Sequence, residues 1–229
     1  MTRPSAPQST ARMHPAAVLE SESADKRAAV RQLRRSFTLP ESPAPPTRWA
    51  LDAVAGTLTE VSAAGASASL TLAFALVLDA QRRGEPVAWF TVLAHSFFPP
   101  DAAENGADLE ALVVVRLRDA RRLARAAEQL ARSGAFGLLL LDLGTTRIPA
   151  ALLMRLAGLA QKHGTAIVFL THKDADAPSL GSLISLRGEV RRKRCAEGRF
   201  TCELHALKDK RRGPGWRHSE VFHGPTGLR

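Results

Sequence analysis

Four apolar runs constrain this chain more than any other feature: VAWFTVL (87–93), LVVVRL (112–117), FGLLLLDL (136–143) and AIVFLTH (166–172). Each is too short to span a membrane and is near-continuously apolar rather than alternating. Strands of this kind are buried on both faces, as parallel strands are when helices cover each side of the sheet. A further strand, GTLTEVS (56–62), precedes them. Helical segments lie between the strands. LTLAFALVLDAQRRG is closed by Gly84, DARRLARAAEQLARSG is opened by Asp119 and closed by Gly134, and PAALLMRLAGLAQKHG follows. Strands alternating with helices predict an α/β fold with a mainly parallel sheet. The style then changes. SLISLRGEVRRKRC (182–195) and RFTCELHALKDK (199–210) read as a C-terminal antiparallel hairpin on the sheet edge.

Ahead of this core the composition shifts. The first twenty or so residues mix Pro, Ser, Ala and Gln and carry no periodic pattern. DKRAAVRQLRRSF (25–37) predicts a short helix with Ala29, Val30, Leu33 and Phe37 on one face. Arg31, Arg34 and Arg35 lie on the other, so Arg31, Leu33, Arg34, Arg35 and Phe37 are candidate partner contacts. PESPAPP (40–46) is a stiff linker. The expected organisation is a flexible arm over residues 1–47 and a core over 48–229.

Charge narrows the function. The chain of 229 residues carries a net +10, which favours an acidic partner: nucleic acid, an acidic protein surface or an anionic membrane. Between Arg187 and Arg217 there are eleven lysines and arginines against four acids. Arg187, Arg191, Arg192, Lys193, Arg194, Lys208, Lys210, Arg211 and Arg212 are therefore candidate contacts to DNA or to an acidic partner. Side chains alternate along a strand, so the run RRKR must spread its charge over both faces of the hairpin tip. Two cysteines, Cys195 and Cys202, make no disulfide scaffold and read as free thiols. With no apolar run long enough to span a membrane and no signal-peptide pattern, a cytoplasmic location is expected.

A strand, a loop of small residues and a helix is also the architecture of a phosphate-binding loop. Such a loop needs glycines for close backbone approach, a lysine for the β and γ phosphates, and a Ser or Thr hydroxyl for magnesium. GTLTEVSAAGASASLTL (56–72) resembles, without a gap, the corresponding segment of the RecA recombinase family. That alignment puts Ala68 at the last glycine, Ser69 at the lysine and Leu70 at the hydroxyl. DAQRRGEPVAWF (79–90) resembles the next helix and strand of that family. In VLAHSFFPP, Ala94 falls where the family has the glutamate that activates water. QLARSGAFGLLLLDL resembles the acidic Walker B strand, with the acid kept as Asp142. His172 stands at the glutamine that senses the γ-phosphate. ELHALKDKRRGPGWRHSEVFHGPTG resembles the end of the RecA core, with Lys208 and Lys210 at a lysine pair that reaches ATP across a subunit interface.

The resemblance implies a RecA-like three-layer αβα core with a vestigial nucleotide site of Ser67, Ala68, Ser69, Leu70, Ala94, Asp142 and His172. It implies no catalysis and no cofactor. Both DNA-binding loops of RecA are clipped here, to GTTRIPAA and KDADAPSLG. A core of this size with these losses resembles the ImuA family. That resemblance implies a non-catalytic accessory of SOS-induced translesion synthesis, with an ImuB-like polymerase homologue and RecA as partners and weak, non-specific DNA binding at most. The alternatives are a SulA-like cell-division inhibitor or a residual ATP-dependent, recombinase-type DNA-binding protein.

Overall fold

The computed structural model describes residues 49–64, 68–93, 97, 103, 106–196 and 198–223. The chain divides into two units, 1–42 and 43–229, and every described residue belongs to the second. The expected arm helix at 25–37, with Arg31, Leu33, Arg34, Arg35 and Phe37, lies outside the described residues.

The described elements are β1 (Leu58–Ala63), β2 (Val87–Val92), β3 (Leu112–Leu117), β4 (Leu138–Gly144), β5 (Ala166–His172), β6 (Leu186–Ala196), β7 (Arg199–Asp209) and β8 (Arg217–His223). The helices are α1 (Leu51–Val54), α2 (Ser69–Arg82), α3 (Leu123–Arg132) and α4 (Ala150–His163). The strands form one eight-stranded sheet in the order β3-β2-β4-β5-β1-β6-β7-β8. Strands β1 to β6 run parallel, β7 runs antiparallel to β6, and β8 runs antiparallel to β7.

The continuous apolar runs are explained by two cores, one on each face of the sheet. In β4, Leu138 and Leu140 join the core beneath α1 and α2, while Leu139 and Leu141 join the core beneath α3 and α4. Side chains alternate, so a strand buried on both sides has no solvent-exposed position to offer. Truncating a fully buried member such as Phe169 to Ala is expected to cost about 3–5 kcal/mol.

Helix ends follow the sequence signals. Asp119 Oδ1 accepts from the Arg121 N–H at 2.9 Å and caps a 3-10 turn that leads into α3. Gly164, at φ 72°, ends α4 in the left-handed conformation that glycine adopts without strain. A less local cap holds α1. Asp79, in the middle of α2, accepts from the Leu51 N–H at 2.8 Å, and Trp49 Nε1 donates to the Leu72 carbonyl at 2.9 Å.

Two expectations are corrected. LVVVRL is an edge strand, not a doubly covered one, and Val113 is 46% exposed. The β6–β7 hairpin is not at the sheet edge, because β8 adds beyond it and takes the edge. β8 reads RHSEVFH, a run whose outer half is polar enough to pass for a loop in sequence. Among the described residues no helix is long and apolar enough to cross a membrane.

Candidate functional site

The carboxyl ends of β1, β4 and β5 lie side by side, which is where ligands bind in open α/β sheets. The described candidate positions, Ala68, Ser69, Leu70, Asp142 and His172, lie at this edge. Ala68 is fully buried just before α2, Ser69 is buried at its first turn, and Leu70 is 40% exposed there. Asp142, near the end of β4, accepts from Thr91 Oγ1 of β2 at 3.3 Å. His172 ends β5 and is exposed. Ser67 and Ala94 lie outside the described residues. An exposed isobutyl group at Leu70 can neither coordinate magnesium nor donate to a phosphate.

A feature that motif reading missed dominates this edge. Glu60, in the middle of β1, is completely buried. Isolated, such a carboxylate would be very costly to desolvate. Here both oxygens are engaged. Oε1 is ion-paired with Lys173 and accepts from Thr171 Oγ1 at 3.0 Å, and Oε2 accepts from the Leu180 N–H at 2.9 Å. Lys173 Nζ also donates to the Pro178 carbonyl at 2.7 Å. The signal was visible as a lone acid inside an otherwise uncharged strand, but its partners are set by the fold.

Around Glu60, two more groups fasten the β5–β6 connection, residues 173–185, onto the sheet. Arg187 is buried at 4% exposure. Its guanidinium donates to the carbonyl of Ala177, to that of Asp174 at 2.7 Å and to Ser62 Oγ at 3.3 Å. Lys208 Nζ donates to the carbonyls of Gly181 and Ser182 at 3.3 and 3.4 Å. Burial and the neighbouring Lys210 both push the Lys208 ammonium below its ordinary pKa, against the pull of Glu60. The β5–β6 connection is thus a strap tied down by three cationic side chains and one carboxylate.

This divides the candidate basic residues. Arg187 belongs to the interior, because every direction its guanidinium points is occupied by a carbonyl or hydroxyl, and it cannot meet an outside partner. Lys208 is half-engaged in the same way. Arg212 is largely covered and pairs with Asp209 at 3.5 Å. Arg211 is exposed, with a long contact of 3.5 Å to the Ala55 carbonyl, and Lys210 is exposed. Arg191, Arg192, Lys193 and Arg194 are all exposed on β6. Arg191 pairs with Glu189 at 3.2 Å, and Arg192 lies over the Phe200 ring at 4.7 Å. Cys195 is exposed and Cys202 is buried; both are free thiols. The register places Cys202 opposite Arg192.

An open depression of about 580 Å³ lies at the opposite edge, before β2 and β3, lined by Leu78, Gln81, Glu85, Gly106 and Asp108 among others. Gln81 there is occupied twice by the Asp108 backbone, at 2.7 and 2.9 Å. It shares no residue with the carboxyl edge. A scan against protein-family models and a search of curated proteins each find no match for the chain.

Proposed function

We propose that this chain is a non-catalytic accessory protein with a RecA-like core, resembling the ImuA family, which serves SOS-induced translesion synthesis by binding an ImuB-like polymerase homologue and RecA. Supporting the RecA-like part is the layout of a strand, a small-residue loop and a helix in the interior of a mainly parallel sheet, with Asp142 one strand beyond the neighbour of β1. One observation carries the non-catalytic part. At the edge where phosphates would sit, the helix-opening positions are Ser69 and an exposed Leu70, while Lys173, the lysine just after β5 there, is paired with Glu60. Phosphoryl transfer rests almost entirely on positioning and charge neutralisation, and this edge presents little of either.

The loss of RecA-type DNA loops adds to the reading. The shortened strap is tied to the sheet by Glu60, Arg187 and Lys208, which favours a protein partner over ATP as the ligand. The test is recovery of the full-length chain with its partners from cells exposed to DNA damage. A polymerase-like protein and RecA are expected. Recovery of a tubulin-like division protein in their place would overturn the proposal in favour of a SulA-like inhibitor.

A further inference from the structure

The other half of the sheet carries a surface that the accessory reading does not use. Register fixes which side chains share a face. Val190 stands opposite Leu204, Arg192 opposite Cys202, and Arg194 opposite Phe200. Across the next pair, Cys202 stands opposite Glu220 and Phe200 opposite Phe222. Directly opposed residues point the same way, so Arg194, Phe200 and Phe222 form one row and Arg192, Cys202 and Glu220 the row beneath it. Val190, Cys202 and Leu204 belong to the core under α2, and Phe222 packs against that core. The same face therefore continues outward from buried apolar residues into two half-buried rings and two exposed arginines.

Three properties of this tip point to one ligand class. First, Phe222 is anchored from below on the core, Phe200 stands opposite it and is half-buried, and the Arg192 guanidinium already lies over Phe200 at 4.7 Å. Planar groups held in this way are surfaces on which unstacked bases stack. Second, the cations are not neutralised. Among the described residues no carboxylate pairs with Arg192, Lys193 or Arg194, and Glu220, the acid on this face, lies 3.5 Å from His218. Third, the charge wraps the tip. Lys193 faces away from Arg192 and Arg194, which stand about 6.7 Å apart at two residues of strand rise. A flexible polyanion can follow cations on both sides of a narrow edge. A flat acidic protein surface would meet only one side and would have no use for the rings.

We propose that the β6–β7–β8 tip is a binding platform for single-stranded nucleic acid, with Phe200 and Phe222 stacking bases and Arg192, Lys193 and Arg194 holding phosphates. It would read no particular sequence, since every base has a π-face. The inference rests on the β6–β7–β8 tip alone and holds whether or not the core is an SOS accessory.

The test is fluorescence anisotropy of the full chain with a labelled fifteen-residue oligo-dT across a salt series. Wild type is expected to bind at low salt and to weaken steeply as salt rises. Arg192→Gln with Arg194→Gln should flatten the slope of log K against log salt by about 1.4, at about 0.7 per phosphate contact on a single strand. An abasic oligonucleotide of the same length should bind at least about fivefold more weakly than oligo-dT, because stacking is lost while every phosphate remains. Phe200→Leu with Phe222→Leu should reproduce that loss with the slope unchanged. The abasic comparison needs no variant and decides the point even if the leucine pair fails to fold. Equal binding of the abasic and dT strands, or no binding of oligo-dT at low salt, would overturn the proposal. So would a polyglutamate peptide that binds as tightly as oligo-dT and is lost with the same arginine pair, which would make the tip an acidic-protein site.

Discussion

The backbone N–H of Leu180 donates to Glu60 Oε2 at 2.9 Å across 120 residues of sequence. This bond, with the Lys173 ion pair on the other oxygen, joins the strap over residues 173–185 to the interior strand β1.

Glu60→Gln should therefore be severe. It leaves the Lys173 ammonium without its anion and presents an amide N–H to donors. Removing one partner of a buried pair costs about 3–5 kcal/mol, and Lys173 is partly solvated, so roughly 3 kcal/mol is expected. For a domain of this size that lowers Tm by roughly 10 °C. Thermal unfolding monitored by circular dichroism reads this directly. A shift under 2 °C would show that the strap stands without Glu60.

Glu128 gives a second, pH-dependent tie. Arg155 of α4 donates to it at 2.9 and 3.2 Å, and Arg132 donates at 2.6 Å. Hydrogen bonds from Arg155, then from Arg132, hold this carboxyl below its ordinary pKa. A carboxyl depressed in the folded state contributes stability that is present above its unfolded value, about 4.3, and is lost as pH falls through the folded value. Wild type should exceed Glu128→Gln by about 1 kcal/mol at pH 7, and the gap should close below about pH 4. Melting both proteins from pH 7 to pH 3 checks it; a gap that persists at pH 3 would mean that shape, not charge, is what Gln disturbs.

The two thiols should behave differently. Burial pushes Cys202 up to about 11, reinforced by Glu220 and opposed by Arg192, while Cys195 is exposed on the hairpin. Only a thiolate attacks a disulfide reagent. At pH 8, a thiol titration of the native protein should consume one equivalent rapidly and the second only in denaturant. Two rapid equivalents would show that the β7 face opens in solution.

No magnesium-dependent ATP hydrolysis above background is expected, with or without single-stranded DNA. Asp142→Ala should change nothing in that assay, since Asp142 accepts from Thr91 and the helix after β1 opens on Ser69 and Leu70, neither of which carries a charge. Phosphate release that disappears with Asp142→Ala would restore a catalytic reading.

The sequence by itself determined the α/β layout. Runs such as Leu138–Leu141 leave a strand no exposed face, and Asp119 and Gly164 mark helix ends through purely local chemistry. These signals are short-range, which is why they survive in one dimension. What only the tertiary structure decided is the use of each charge. Arg187 and Arg191 are alike in sequence and four residues apart. Arg187 is buried against the strap carbonyls, whereas Arg191 is exposed. The difference arises because β1 covers the first half of β6, through Thr59↔Leu186 to Ser62↔Glu189, and stops before Arg191. Glu60, likewise, reads as an oddity in an apolar strand until Lys173, Thr171 and Leu180 are brought around it. Burial and partner choice are long-range properties, fixed by strand register and by what the chain packs against.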